Sequence, residues 1–207
     1  MYDASRTINE FLSAAAAKQP APGGGSVTAL TGALAASMGE MVLNYSVGRK
    51  SLAAHEPELR EALAEFTRAR GVMLLLMAED QLAYEAVTAL RKLPVDAPER
   101  QEQYAATLAA CIRVPEAMAA TAAAVLELCE RLVDKVNPYL LSDLAVCAEL
   151  SMATVRCGAY NVRVNLADVT DVMERKRLAD EANGIVTRSV AVVRRVIPRI
   201  WQSAENP

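Results

Sequence analysis

The chain has 207 residues, 53% of them hydrophobic but only 4% aromatic, which favours close packing between helices over an aromatic-rich core. Its length is typical of a single domain, which we expect to span residues 1–207. The formal net charge of −3 includes no long block of one sign, so we expect no nucleic-acid partner.

The first two predicted helices flank a turn rich in proline and glycine. An i, i+3, i+4, i+7 stripe of apolar residues predicts a short amphipathic helix over residues 4–18. The second helix is expected to begin after the sequence APGGGS at 21–26, with Ser26 as its N-cap, and to end near Gly48. Small residues recur along one face of this helix, where a neighbour can approach closely: Gly25, Ala29, Gly32, Ala36 and Gly39.

Four longer helices are predicted in the rest of the chain. The third extends from Pro57 to about Lys92, and the fourth from about Glu99 to Lys135 with an interruption and kink at Pro115. The remaining two are expected from an N-cap at Ser142 to Leu166 and from Val169 to Trp201. The sequence therefore predicts an all-α fold, a single bundle of about six helices with long antiparallel members.

Several features restrict the class of function. The second helix is long enough to cross a bilayer, but its small residues transfer weakly to lipid, so we expect a buried helix and no membrane partner. The N-terminus lacks an apolar signal segment, which predicts a cytoplasmic protein. One histidine, His55, and no CxxC pair predict no metal site. We expect the four cysteines to be reduced core residues: Cys111, Cys129, Cys147 and Cys157.

Two stretches of the first half could hold chemistry. The glycines of APGGGS are not a phosphate loop, because no Gly-Lys-Ser/Thr follows, and they could serve either as a turn or as bare backbone for a flat ligand. Asp80 and Tyr84 share a helix face beside the apolar run VMLLLM, where an acid is either a surface charge or a proton-transfer group with a raised pKa.

Two further groups have equally open interpretations. Arg49 and Lys50 follow Gly48 and could meet a carboxylate-bearing ligand, or they could be solvated loop charges. Asn161 and Asn165 share a helix face among apolar neighbours, where each amide could bind a ligand or form a structural hydrogen bond.

Read in order, four segments resemble the cyclodeaminase/cyclohydrolase family: PAPGGGSVTALTGALAASMGEMV, GRK, EDQLAYEAVTALRKLP and LSDLAVCAELSMATVRCGAYNVRVNL. The resemblance extends from about residue 8 to about residue 200. That family includes the formiminotetrahydrofolate cyclodeaminase domain of the bifunctional formiminotransferase-cyclodeaminase and stand-alone bacterial methenyltetrahydrofolate cyclohydrolases. It implies a homodimer with a folate-binding cleft beside the glycine-rich turn.

The resemblance also implies an activity and a set of site residues. The main expectation is a cyclodeaminase that converts 5-formiminotetrahydrofolate to 5,10-methenyltetrahydrofolate and ammonia, with Asp80 catalytic and no cofactor beyond the tetrahydrofolate-type substrate. The alternatives are a cyclohydrolase that opens 5,10-methenyltetrahydrofolate to 10-formyltetrahydrofolate, and a non-catalytic helical partner protein. The expected substrate-binding residues are Gly23, Gly24, Gly25, Ser26, Arg49, Lys50, Tyr84, Ser142, Asp143, Asn161 and Asn165.

Overall fold

Six α-helices account for most of the fold, and the computed structural model describes residues 5–205, excluding the side chain of residue 205. No strand occurs between residues 5 and 205, which confirms the predicted all-α class and the number of helices. The helices are α1 (Ile8–Ala16), α2 (Gly24–Asn44), α3 (Glu56–Arg91), α4 (Pro98–Leu132), α5 (Leu141–Asn165) and α6 (Val172–Glu205). Three short 3-10 segments join them: Lys50–His55, Pro138–Leu140 and Leu166–Asp168.

The start of α2 differs from the prediction. Gly23, not Ser26, is the N-cap, and its carbonyl accepts a hydrogen bond from the Val27 amide at 3.0 Å. The helix begins three residues earlier than predicted, and Gly24 and Gly25 let its first turn lie close to neighbouring side chains, since a Cβ on Gly25 would overlap Asp80 and one on Gly24 would lie 3.3 Å from Asn161 Oδ1. Ser26 consequently lies inside the first turn and is fully buried.

The start of α5 also differs. Its N-cap position is Leu140 rather than Ser142, and no side chain caps it. The preceding 3-10 turn leads directly into the helix, and the Asn137 side chain accepts a hydrogen bond from the Tyr139 amide at 3.3 Å. Capping therefore takes place before the turn, and Ser142 and Asp143 lie in the first turn of α5.

The glycines of α2 match α3 in an antiparallel register. Gly32 faces Met73, whose Sδ lies 2.7 Å from the position of a Cβ atom built on the glycine, and Gly39 faces the fully buried Phe66 ring. Gly32 and Gly39 are seven residues apart, and so are their partners Met73 and Phe66, but the partners follow each other in the opposite direction along the chain. The bare face is thus filled by large side chains of α3, and burying a residue such as Phe66 stabilises the fold by roughly 1.5–3 kcal/mol.

Helix α4 continues through Pro115, so the predicted interruption is wrong. Proline has no amide hydrogen, and the carbonyl of Cys111, four residues earlier, therefore loses its helical donor. The side chain of Asn165 replaces that donor, because its Nδ2 donates to Cys111 O at 3.1 Å. Gly158 of α5 permits this close approach, since a Cβ there would lie 2.8 Å from the Pro115 carbonyl oxygen.

All four cysteines are free thiols, as expected, but only three are buried. Cys129 and Cys147 bring α4 and α5 together with their sulfur atoms 3.4 Å apart. Cys157 is exposed, which corrects the prediction that it belongs to the core, because it lies on the outward face of α5.

By length and composition alone, α2 and α4 are both apolar enough to cross a membrane. In the fold, 56% of the most apolar window of α2 and 50% of that of α4 are buried against the rest of the protein. Core helices of soluble proteins have the same property, so the expectation of no membrane partner stays a prediction.

Candidate functional site

A cavity of about 340 Å³ lies where the first turn of α2 meets the second half of α3 and the last turns of α5. Hydrogen bonding across the helices fixes this junction, since Asn161 Nδ2 of α5 donates to Thr28 Oγ1 of α2 at 3.2 Å. Eight of the twelve residues proposed for the site line the cavity: Gly23, Gly24, Gly25, Ser26, Asp80, Tyr84, Asn161 and Asn165.

The carboxylate of Asp80 lies directly against Gly25. A Cβ atom on this glycine would overlap the carboxylate oxygens and carbon of Asp80, so only glycine leaves room for the acid in this position. Burial raises the pKa of the Asp80 carboxyl above its ordinary value, while the facing hydroxyl and amide of Ser26 act in the opposite direction. The group is thus moved toward the pH range in which a carboxyl can both accept and donate a proton.

Ser26 contributes a polar atom with spare bonding capacity. Its Oγ is buried and completes no hydrogen bond of normal geometry with any residue that the structure describes. The hydroxyl still faces the Asp80 carboxyl closely enough to act on its pKa. A buried hydroxyl without a partner is costly, which is typical of a position that a ligand completes.

The two asparagines are fixed through their nitrogen atoms. Asn161 Nδ2 also donates to Cys157 O at 3.0 Å, and Asn165 Nδ2 donates to Asn161 O at 2.9 Å as well as to Cys111 O. With this orientation of the amides, neither Oδ1 accepts a hydrogen bond from a described residue. Both interpretations left open by the sequence are therefore compatible: the nitrogens are structural, and the oxygens remain available to a ligand.

Tyr84 lies one turn after Asp80 on α3 and is 44% exposed, so part of its ring borders the cavity. Two further lining residues of α3, Gln81 and Arg91, are not predicted by the sequence analysis. Arg91 follows Asp80 by eleven residues, close to three helical turns, and this spacing is the signal that could have identified it.

Four proposed site residues lie elsewhere in the chain. Arg49 precedes the 3-10 segment that begins with Lys50, beyond the far end of α2, and Ser142 and Asp143 begin α5 at the same end. The Ser46 hydroxyl joins these two regions by accepting a hydrogen bond from the Asn137 amide at 2.9 Å. Helix α2 has 21 residues and is about 30 Å long, so within one chain this group does not reach the cavity.

A resident metal is also not indicated by the side chains that the structure describes. Within residues 5–205, no group of three or more His, Cys, Asp or Glu side chains is arranged to hold a metal ion. The charged residues lining the cavity are Asp80 and Arg91. Its chemistry would therefore rest on one acid, one cation, amide and hydroxyl groups, and the bare backbone of the glycines.

Comparison with known proteins gives one consistent result. The family model for formiminotransferase-cyclodeaminase matches residues 7–184. A methenyltetrahydrofolate cyclohydrolase of Methylorubrum extorquens is 29% identical over 93% of this chain and 94% of its own length. A formimidoyltransferase-cyclodeaminase of Sus scrofa is 32% identical over 94% of this chain, which spans only 37% of that longer protein. The crystal structure of a formiminotetrahydrofolate cyclodeaminase from Thermotoga maritima is 26% identical, with a TM-score of 0.82 over 97% of this chain and 96% of that chain.

Proposed function

We propose that this chain, which belongs to the formiminotransferase-cyclodeaminase family, is an enzyme that makes or opens the one-carbon bridge of a tetrahydrofolate adduct in the cavity beside Asp80. The observation that carries the proposal is the partly buried Asp80 carboxyl with a raised pKa, held against the bare backbone of Gly25. An acid in such a position destabilises the fold and is typical of proton-transfer sites.

The first candidate reaction is cyclodeamination of 5-formiminotetrahydrofolate. The N10 amine attacks the formimino carbon on N5 and loses its proton. The former imino nitrogen gains two protons, the one from N10 and one from solvent, and leaves as ammonia, which gives the methenyl cation. Asp80 can carry out both transfers, accepting the proton from N10 and donating it to the leaving nitrogen. Its carboxylate would also stabilise the positive charge of the methenyl product.

The second candidate is hydrolysis of 5,10-methenyltetrahydrofolate to 10-formyltetrahydrofolate. The similarity to the Methylorubrum cyclohydrolase, which extends over almost the whole of both chains, specifically supports it. Water attacks the same carbon, and Asp80 accepts one proton of that water and can pass it to N5 as the ring opens. The second proton of the water is released to solvent as the formyl C=O forms. The same arrangement of side chains serves either reaction, because the reacting carbon and its positive charge are the same.

We propose a homodimer in which the cleft is completed by the second copy. An apolar stripe runs along the outer face of α2 with the 3,4 spacing of a helix-packing seam, and α5 exposes apolar residues beside it. The stripe consists of Val27, Thr31, Leu34, Met38, Met41 and Tyr45. A two-fold axis through its centre would place the α2 helices antiparallel, with the Arg49–Lys50 end of one copy beside the glycine turn of the other.

This arrangement would explain why the proposed site residues divide into two groups. Arg49, Lys50, Ser142 and Asp143 would approach the cavity of the second copy and not that of their own chain. We expect Leu34→Glu to be a monomer by sedimentation velocity and to lose turnover. The control, Val172→Glu, changes an exposed apolar position on α6 and should remain a dimer with normal turnover. A monomeric L34E protein with full turnover would contradict a cleft shared between copies.

A pair of assays tests the function. The purified chain is mixed with 5,10-methenyltetrahydrofolate, whose near-ultraviolet absorbance falls as the bridge opens, and separately with 5-formiminotetrahydrofolate while ammonia is measured. We expect Asp80→Asn to reduce the faster reaction at least about 100-fold, as loss of a general acid-base group does. The neighbouring Glu79→Gln, an exposed acid outside this cavity, should have no effect.

The same assays distinguish the remaining alternatives. Acceleration of neither reaction would favour the non-catalytic helical partner protein. We further propose that the enzyme needs no cofactor beyond its tetrahydrofolate-type substrate, so that dialysis against a chelator leaves turnover unchanged. A cytoplasmic location is likewise a proposal, to be checked by fractionation of the source cells.

A further inference from the structure

We propose that Arg91 binds the carboxylate tail of the substrate, so that the ligand lies along α3 with its one-carbon bridge at Asp80 and its glutamate at Arg91. This inference rests on the proposed function and adds the direction in which the substrate lies in the cavity. It also assigns the tail to a residue of the same chain that contributes Asp80, rather than to Arg49 or Lys50.

The spacing on α3 provides the first argument. Asp80, Tyr84 and Arg91 follow one another at intervals of four and seven residues, so all three side chains occupy one face of the helix and line the same cavity. Eleven residues correspond to about 16 Å along the helix axis. Helical side chains tilt toward the N-terminus, which directs Arg91 back toward Asp80.

The substrate has matching dimensions. Between the one-carbon bridge and the nearer glutamate carboxylate lie a benzene ring and an amide, about 10 Å by standard bond lengths. The long Arg91 side chain, which reaches back along α3, shortens the 16 Å axial separation to roughly that length. The benzene ring then lies beside Tyr84, at the middle of the row, where an aromatic contact is favourable.

The second argument is how Arg91 is held. Its Nη2 donates to Asp168 Oδ2 at 2.7 Å, its Nε lies 3.4 Å from the Tyr104 hydroxyl, and that hydroxyl donates to the same carboxylate oxygen at 2.7 Å. Among the residues that the structure describes, none accepts a hydrogen bond from Nη1. One edge of the guanidinium is therefore fixed, and the remaining donors can bind a carboxylate.

The third argument is charge. Within one chain, Arg91 is the one cation among the described residues that line the cavity, and Asp80 is the one acid. The proposed substrate has the complementary arrangement, with positive charge at the methenyl carbon and negative charge on the tail. A ligand lying in the opposite direction would place its carboxylates beside Asp80 and its cation beside Arg91, which is unfavourable at both ends.

The alternative is that Arg91 only ties α3 to the segment after α5. Its ion pair with Asp168 is about 40% exposed, and such pairs contribute about 0–1 kcal/mol to stability. A purely structural role therefore predicts a small change in the melting temperature and no dependence of the kinetics on the tail of the substrate. Those two consequences separate the alternatives.

The experiment compares substrates with and without the glutamate. Wild-type protein and Arg91→Ala are assayed on the tetrahydrofolate adduct and on the matching tetrahydropteroate adduct. We expect R91A to raise KM for the folate adduct about 10- to 100-fold with kcat within about threefold, and to leave KM for the pteroate adduct unchanged. Arg91→Lys should restore part of the affinity.

Arg100→Ala is the matched control. Arg100 lies over the Tyr104 ring and donates to Leu93 O at 2.7 Å, but it does not line the cavity. This variant should distinguish the two substrates as the wild type does. If R91A still distinguishes them, or if Lys50→Ala and not R91A abolishes the distinction, the assignment of the tail to Arg91 is wrong.

Binding measurements keep this inference separate from the proposed function. Calorimetry gives the Kd of tetrahydrofolate and of tetrahydropteroate without any turnover. A wild-type protein that binds the folate more tightly, loses this preference in R91A and catalyses neither reaction would refute the proposed function and support the role of Arg91. Equal binding of both ligands by the wild type would overturn the inference even if the protein is an active enzyme.

Discussion

Replacing Gly25 by alanine tests the central geometry of the site with a single methyl group. Gly25 lies in the first turn of α2 without an unusual backbone conformation, so alanine would normally stabilise the helix by up to about 1 kcal/mol. Its Cβ, however, would overlap the carboxylate of Asp80. The substitution therefore has two opposing effects: it favours the helix, and it displaces the Asp80 carboxylate.

The structure indicates which effect dominates stability and which dominates activity. The Asp80 carboxylate is the end of a short side chain that borders an open cavity, so it can rotate away from the new methyl group. We expect the melting temperature of Gly25→Ala to fall by less than about 8 °C, because the helical gain of up to about 1 kcal/mol offsets part of the strain of about 1–3 kcal/mol. Rotation moves the carboxyl by more than 1 Å, and such a misplacement costs about 100-fold in turnover, or about 2.7 kcal/mol.

The measurement combines kcat/KM in the two absorbance and ammonia assays with a thermal melt. A double-mutant cycle with Asp80→Ala isolates the coupling, because Gly25→Ala should add almost nothing once the carboxylate is absent. Wild-type activity in Gly25→Ala would refute the view that the glycine exists to position Asp80. A drop of more than about 8 °C in the melting temperature, rescued by Asp80→Ala, would show that the carboxylate cannot rotate away from the added methyl group.

Two further substitutions test the physical account of the fold. Burial raises the pKa of Asp80 above its ordinary value of 3.8, so the folded state loses stability as the pH rises through the raised pKa. Asp80→Asn should therefore have a higher melting temperature than wild type at pH 7, and this difference should vanish below about pH 4. Equal differences at both pH values would contradict this cause. Gly39→Ala should lower the free energy of unfolding by about 1–2 kcal/mol in urea titrations, because its Cβ would overlap the buried Phe66 ring. The exposed Gly71, with nothing within 4 Å of a Cβ, is the control, and Gly71→Ala should raise it by up to about 1 kcal/mol.

Helical periodicity was sufficient to predict the number and order of the helices, but their ends depend on contacts between distant residues. Ser26 has the side chain of a good N-cap, and yet α2 begins at Gly24 because its first turn packs against α3 and α5. The continuity of α4 at Pro115 depends on Asn165, whose amide donates to the carbonyl of Cys111, 54 residues away. Neither contact can be inferred from local helix propensity.

The sequence likewise predicted only part of the candidate site. Asp80, Tyr84 and the asparagines appear as i, i+4 pairs, and the structure brings all of them to one cavity with the glycine turn. Arg91 escapes notice because a cation in the last turn of a long helix already has an ordinary explanation, namely interaction with the helix dipole. Only its position at the cavity wall, paired with Asp168, distinguishes it from other terminal arginines.

The register of α2 against α3 explains why Asp80 stands out physically. Gly39, Gly32 and Gly25 face Phe66, Met73 and Asp80 in three equivalent layers, each seven residues from the next. In two layers the glycine makes room for a large apolar side chain, whose burial stabilises the fold. In the third layer the equivalent position holds a carboxyl group whose burial raises its pKa and destabilises the folded state at neutral pH. An apolar residue would serve packing better there, so the architecture of the helix pair does not account for the carboxyl at position 80, whereas the proposed proton transfer would require it.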